Sequence, residues 1–153
     1  MDEKELKKQC LNLLETANVV YLSTIGSDGF PHTRIMTNLR NKKENPVASG
    51  VLSQHKKDFE IYFITSRSST KMQQIRANKK VSAYLYDPGE FHTLMLSGEI
   101  EEITDKQFKK QLWQKGWEIH WPGGADDPEF TVLKLSPAFA RGCYKEGLFE
   151  FKI

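Results

Sequence analysis

FEIYFITSRSSTKMQQIRANKKVSAYLY, residues Phe59–Tyr86, changes its periodicity twice. FEIYFIT is apolar, β-branched and aromatic, which suits a buried strand. Ser66-Arg67-Ser68-Ser69 breaks that pattern and offers several helix N-caps. Met72, Ile75 and Arg76 then follow at helical spacing, Asn78 ends the helix, and VSAYLY is the next strand. Lys71 is the informative residue, because a lysine in the first turn of a helix faces the positive end of its dipole. Backbone N–H groups, the hydroxyls of Thr65, Ser66, Ser69 and Thr70, and one or two cations converge there. That combination makes a phosphate site. The same residues also read as an ordinary capped helix with a solvated lysine.

Upstream, Asp2 to Thr16 reads as an amphipathic helix capped by Asp2, with Leu6, Cys10, Leu13 and Leu14 on one face. Asn18 to Ile25 is strand-like, and Gly26-Ser27-Asp28-Gly29 supplies a hairpin turn. His32 to Leu39 is the returning strand. It places Thr33, Ile35, Thr37 and Leu39 on one face and Arg34, Met36 and Asn38 on the other. Arg40 to Lys57 is polar, with Asn45-Pro46 and Ser49-Gly50 as turn signals. A short strand near Val51 and a mobile loop are equally compatible with it.

Downstream, Asp87-Pro88-Gly89-Glu90 is a turn, and Phe91 to Ile103 is a long strand in which Gly98 marks a bulge or bend. Thr104 to Lys115 reads as a helix, with Thr104 and Gln107 as a capping box and Gly116 as its end. Trp117 to Asp127 is an aromatic, glycine-rich loop. Glu129 to Leu135 alternates strictly, Pro137 marks a corner, and Phe139 to Tyr144 and Leu148 to Phe151 are closing strands. Six to eight short antiparallel strands with two or three helices predict a mainly β fold, an antiparallel barrel with peripheral helices. A repeating βαβ pattern is not present, which disfavours a doubly wound sheet.

The 153 residues suit a single domain over 1–153. A net charge of +2, with acids and bases interspersed, gives no broad footprint for nucleic acid. Cys10 and Cys143 lie far apart and read as free thiols. The charged N-terminus lacks an apolar signal-peptide core, and no apolar run is long enough for a membrane span, so a cytoplasmic protein is expected.

Dinucleotide, P-loop and G-x-S-x-G motifs do not occur. His32, His55, His92 and His120 are not paired at helical spacing. His120 near Asp126-Asp127 lacks metal-site spacing and reads as a loop packed by its own aromatics, so no metal is assigned. Trp113, Trp117 and Trp121 suggest a satellite core or a subunit interface, or the wall of a flat ligand. Their neighbours Glu118, Asp126 and Asp127 count against RNA stacking. Arg34, inside a strand, suits a salt bridge, a phosphate or the electron-rich pyrimidine edge of a flavin.

The motif order is a hairpin with P-x-x-R, an apolar strand ending in Thr, S-x-K opening a helix, an N-x-x-V-S strand, and a long strand with a central Gly. From about Leu11 to Tyr144 this resembles the pyridoxamine 5′-phosphate oxidase-like FMN-binding split-barrel superfamily. Trp121–Pro128, W-P-G-G-x-D-D-P, and the short C-terminus resemble its general-stress-protein branch. The resemblance implies an FMN-binding split β-barrel, homodimeric, with the flavin at the subunit interface. It places the ring along Arg34, Ile35, Met36 and Thr37, and the phosphate and ribityl chain at Ile64, Thr65 and Ser66. Ser69, Thr70 and Lys71 fall at the family's Ser-Arg-Lys, with Arg67 as a substitute for the missing arginine. Thr93 falls at a family glutamine, and Trp113 or Trp117 would reach the flavin of the partner chain.

Other positions depart from the family. Its second strand basic residue falls at Leu39, beside Arg40. The S-x-x-S-R segment and C-terminal R-x-H of true pyridoxamine phosphate oxidases are missing, so vitamin B6 oxidation is not implied. The expected function is that of a flavin-dependent oxidoreductase linked to stress response, with its catalytic side chains unassigned. The alternatives are a non-catalytic flavin carrier or sensor, and a split barrel for another planar cofactor, haem or a deazaflavin.

Overall fold

The computed structural model describes residues 1–153. Helix α1 (Glu3–Thr16) starts where the Asp2 carboxylate accepts a hydrogen bond from Glu5 N at 2.8 Å, and it buries Cys10, Leu13 and Leu14. Strands β1 (Val19–Ile25) and β2 (Pro31–Thr37) form the expected hairpin, with Gly29 at φ +81° in its turn. Its register pairs Tyr21 with Ile35 and Leu22 with Arg34. Arg34 and Met36 therefore turn inward, while Ile35 is 61% exposed.

Pro46–His55 is a helix, α2, which corrects the expectation of a loop or a strand near Val51. Pro46 fits the first helical turn because the N–H it lacks would have no partner there. Ala48, Ser49 and Leu52 fall on one buried face, whereas Gly50 lies on the exposed one. Burial of that face outweighs the local turn signals. Arg40, adjacent to the position where the family carries a second strand cation, is 2% exposed and directed elsewhere. Its guanidinium donates to the carbonyls of Asp58 and Glu60 and to Glu15 Oε1, tying α1 to the chain entering the next strand.

The segment 59–86 folds as β3 (Ile61–Ser66), α3 (Thr70–Ala77) and β4 (Lys80–Asp87). Strand β5 (His92–Ile103) leads to α4 (Lys106–Leu112), two 3-10 turns (Trp117–Ile119 and Gly124–Asp126), β6 (Phe130–Tyr144) and β7 (Gly147–Lys152). Helix α4 is shorter than expected and capped differently: the Asp105 carboxylate, and not Thr104, accepts from Phe108 N at 3.0 Å. Trp113 follows as the C-cap, and Gly116, at φ +106°, opens the first 3-10 turn.

All strand pairs are antiparallel, in the order β2-β1-β4-β5-β6-β3, with β7 also on β6. The sheet curls into a split barrel, bringing the edge strands β2 and β3 near each other without pairing. The expected break at Pro137 is instead a point within one strand of 15 residues. Residues 130–135 of β6 pair with β3 and residues 139–144 with β7, so Pro137 sits where the neighbour changes. A proline is tolerated there because its missing N–H is not needed by either partner on that side. Opposite it, the register shifts between Ser97 and Gly98, as the sequence suggested. A Cβ on Gly98 would lie 2.2 Å from the Ser136 carbonyl oxygen, so the strands approach this closely only with glycine.

The main core fills the barrel beneath α1 and α3, with Leu14, Leu22, Phe63, Met72, Leu85 and Leu96 fully buried. A second apolar cluster joins Leu39, Leu52, Tyr62, Leu112, Trp121 and Phe130 under α2, α4 and the tryptophan loop.

Candidate cofactor site

The split between β2 and β3 is where the sequence-derived site residues gather. Alternation along β2 sends Arg34 inward, and its Nη1 donates to the Leu22 carbonyl at 3.2 Å and to Thr24 Oγ1 at 2.7 Å. Its Nη2 donates to Gln74 Oε1 at 3.1 Å. Thr24 Oγ1 donates to the same Gln74 oxygen at 2.5 Å, which closes a triangle between β1, β2 and α3. On the other side, Lys71 Nζ donates to Thr65 Oγ1 at 2.9 Å, and Thr65 lies 3.4 Å from the Ser69 hydroxyl.

Ser69 occupies the N-cap of α3 in extended conformation, yet its side chain makes no capping bond. The N–H groups of Thr70 and Lys71 at the start of α3 thus remain available as donors, whereas Met72 N donates to the Ser69 carbonyl at 3.1 Å. Burial and the Arg34 charge hold the Lys71 ammonium below the ordinary lysine value, and burial lowers Arg34 as well. Neither cation pairs with a carboxylate. Two neighbouring positive charges, hydroxyls and a helix N-terminus make a site for an anion.

The remaining positions divide clearly. Ile35 and Thr37 are exposed on β2, and Met36 is in the core. Because β2 is an edge strand, alternate backbone N–H and C=O groups along Arg34–Thr37 point away from β1 and lack sheet partners. Ile64 and Ser66 flank Thr65 at the end of β3, and Thr70 is exposed. Arg67 is also exposed, in the turn beside the site.

Thr93 and Trp117 are not brought into this cluster within the chain. Thr93 Oγ1 accepts the Cys143 N–H at 2.9 Å, at the far end of β5. Trp117 packs edge-on against Trp113, with ring centroids 5.7 Å apart. Thr24 and Gln74 escaped the sequence reading. Gln74 was within reach, since it stands one helical turn after Lys71 on the same face; Thr24 carried no signal of its own.

The outer sheet face is unusual in composition. Ile35, Tyr21, Tyr84 and Met95 lie in register across four strands, and the first three are 61%, 37% and 40% exposed. Beside them runs a row of hydroxyls, Thr33, Ser23, Ser82 and Ser97, paired at 2.7 Å in each half. These serines line a cavity of about 620 Å³ with Ile25, Glu99 and Phe139.

The family described as pyridoxamine 5′-phosphate oxidase like matches residues 5–144. Among curated proteins none matches the sequence. In structure the chain is similar to a Clostridium acetobutylicum protein related to general stress protein 26, with a TM-score of 0.78 and 27% identity over 100% of this chain and 97% of that one. It is also similar to general stress protein 26 of Bacillus anthracis, with a TM-score of 0.70 and 20% identity over 96% and 99% of the two chains. More distant likenesses include an FMN-binding protein of Nostoc punctiforme (TM-score 0.62, 14% identity, 98% and 94% covered). A haem-binding protein of Mycobacterium smegmatis has a TM-score of 0.66 at 12% identity, with 95% of this chain and 57% of that one covered. The three likenesses below 25% identity show the fold alone. The family match extends over most of the sequence, and the sheet order is that of a split barrel, so the chain belongs to the pyridoxamine 5′-phosphate oxidase-like family.

Proposed function

We propose that the chain is an FMN-binding flavoprotein, acting in the cytoplasm as a homodimeric, flavin-dependent oxidoreductase linked to stress response. The observation that carries this reading is the pair Arg34 and Lys71, two half-buried cations without a carboxylate partner beside an edge strand. The donor set suits a phosphorylated flavin. Lys71, Ser69, Thr70 and the first N–H groups of α3 would hold the phosphate, with Thr65 and Ser66 approaching it where the ribityl chain ends. Arg67, in the turn beside the site, would supply the cation that Thr70 lacks. The free backbone edge of Arg34–Thr37 would hold the polar rim of the ring. Bound FMN supplies hydride or electron transfer at its own ring. The chain orients the cofactor and balances its charge through Arg34. Haem suits these residues less well, since its iron takes an imidazole, thiolate, thioether or phenolate ligand and the cluster offers cations and hydroxyls.

The dimer is supported by the outer row Ile35, Tyr21 and Tyr84, which leaves large apolar side chains in solvent on a surface continuous with β2. A partner over that face would bring a second chain to the flavin, and Trp117 is the residue assigned to that contact. The missing substrate-phosphate motifs direct the proposal away from vitamin B6 oxidation.

The test is an absorption spectrum of the purified protein before and after FMN addition and desalting. Retained flavin bands near one FMN per chain are the expected result, and a protein that stays colourless would overturn the reading. Turnover with NAD(P)H and an electron acceptor separates an oxidoreductase from a carrier.

A further inference from the structure

The hydroxyl turn between β3 and α3 is held from outside by the loop that precedes β6. Trp121, only 5% exposed, donates its indole N–H to Ser66 Oγ at 3.2 Å. Glu129 holds the next two residues: its carbonyl accepts from Arg67 N at 2.9 Å, and its carboxylate Oε2 accepts from Ser68 N at 3.0 Å and Ser68 Oγ at 2.8 Å. Between these two anchors the Asp127 carboxylate accepts from Gly123 N and Glu129 N, each at 2.9 Å, which fixes the loop joining them. Trp113, Trp117 and Phe130 pack Trp121 in place, with ring centroids 6.4, 6.4 and 5.1 Å away.

These bonds sort the hydroxyls of the turn. An indole N–H is a donor only, so Ser66 accepts from Trp121 and keeps its own proton free to donate. Ser68, in contrast, spends both its N–H and its hydroxyl on Glu129 and is withdrawn from ligand binding. We propose that Trp121 and Glu129 are positioning residues of the phosphate turn and set the preference for FMN over unphosphorylated riboflavin. This rests on the phosphate site proposed above. It gives the Trp121–Pro128 stretch a role in cofactor selection that requires no reach into a partner subunit.

The experiment compares dissociation constants for FMN and for riboflavin in the unaltered protein, Trp121→Phe and Glu129→Asp. Trp121→Phe keeps an aromatic ring and removes the N–H. Glu129→Asp keeps the charge and shortens the reach by one methylene. Each substitution is expected to weaken FMN about threefold to tenfold, the effect of one lost hydrogen bond, and to leave riboflavin unchanged. An unchanged FMN-to-riboflavin ratio in both variants, or an equal loss of both ligands, overturns the inference. If the unaltered protein itself shows no preference for FMN, the phosphate site fails first and takes this inference with it. That outcome is distinguishable because no substitution is needed to see it.

Discussion

Lys71 Nζ and Thr65 Oγ1 meet at 2.9 Å across the junction of β3 and α3, six residues apart in sequence. The bond holds a lysine over the start of its own helix, where the dipole opposes it. It places the ammonium near Arg34, whose charge lowers the Lys71 pKa further after burial has done so. Two like charges held close without a carboxylate favour an anion between or beside them.

Lys71→Met should therefore weaken FMN by about tenfold to a hundredfold, in line with the loss of one charge-assisted hydrogen bond. Riboflavin affinity should stay within about twofold, since the ring contacts remain. Titration of flavin fluorescence measures both, and an unchanged FMN affinity excludes Lys71 from the site.

The pH dependence of binding should follow the same residue. A bound phosphate favours the charged ammonium, whereas burial and Arg34 disfavour it in the free protein. FMN affinity is thus highest below the lowered Lys71 pKa and falls as pH rises through it, beneath the range of an exposed lysine. Lys71→Met should flatten that limb of the profile.

Arg34→Lys should cost stability as well as binding. The guanidinium joins Leu22, Thr24 and Gln74 through three hydrogen bonds, and an ammonium on a shorter, unforked chain cannot span them. A loss of about 1–2 kcal/mol is expected in urea unfolding, and a value near zero would show that the triangle contributes little.

His92 predicts an acid limb in stability. It is 4% exposed, with its Nε2 3.7 Å from Cys10 Sγ on α1 and its ring against Tyr144 and Phe149. Burial raises the Cys10 thiol to about 12, so the sulfur stays protonated beside Nε2. Burial lowers His92, while Asp87 and Glu90 oppose that shift. The folded chain therefore binds this proton less readily than the unfolded one. Its contribution is fully present above the ordinary value of 6.5 and is lost as pH falls from there towards the depressed folded value. Melting temperatures should drop over that window, and less so in His92→Phe.

Substitution of Tyr84 by Glu tests the outer face. Tyr84 lies between Tyr21 and Met95 in the exposed row. A carboxylate there should shift sedimentation from dimer to monomer with little change in melting temperature of the monomeric fold. A protein that sediments as a monomer before substitution would remove the dimer from the proposal.

The sequence by itself determined the strand-turn-helix-strand unit at 59–86, the β1–β2 hairpin and the bulge at Gly98. Each is set by local chemistry: β-branched runs, residues that tolerate positive φ, and a glycine where two backbones crowd. It also separated Arg34 and Met36 from Ile35 and Thr37 on opposite faces of β2, because alternation along a strand is fixed by the backbone, but only the closed sheet turned Arg34 inward and left Ile35 in solvent. It did not reveal α2, whose Pro46, Ser49 and Gly50 resemble a turn until Ala48 and Leu52 find an apolar cluster to enter. Nor did it show that Pro137 lies within a single strand, since that depends on β6 exchanging β3 for β7 as a neighbour. The site divides in the same way. Lys71 and its hydroxyls were legible because they are contiguous. Thr24, Gln74 and Glu129 enter through pairings across 10 to 61 residues, and only the closed sheet brings such distant positions within hydrogen-bonding range.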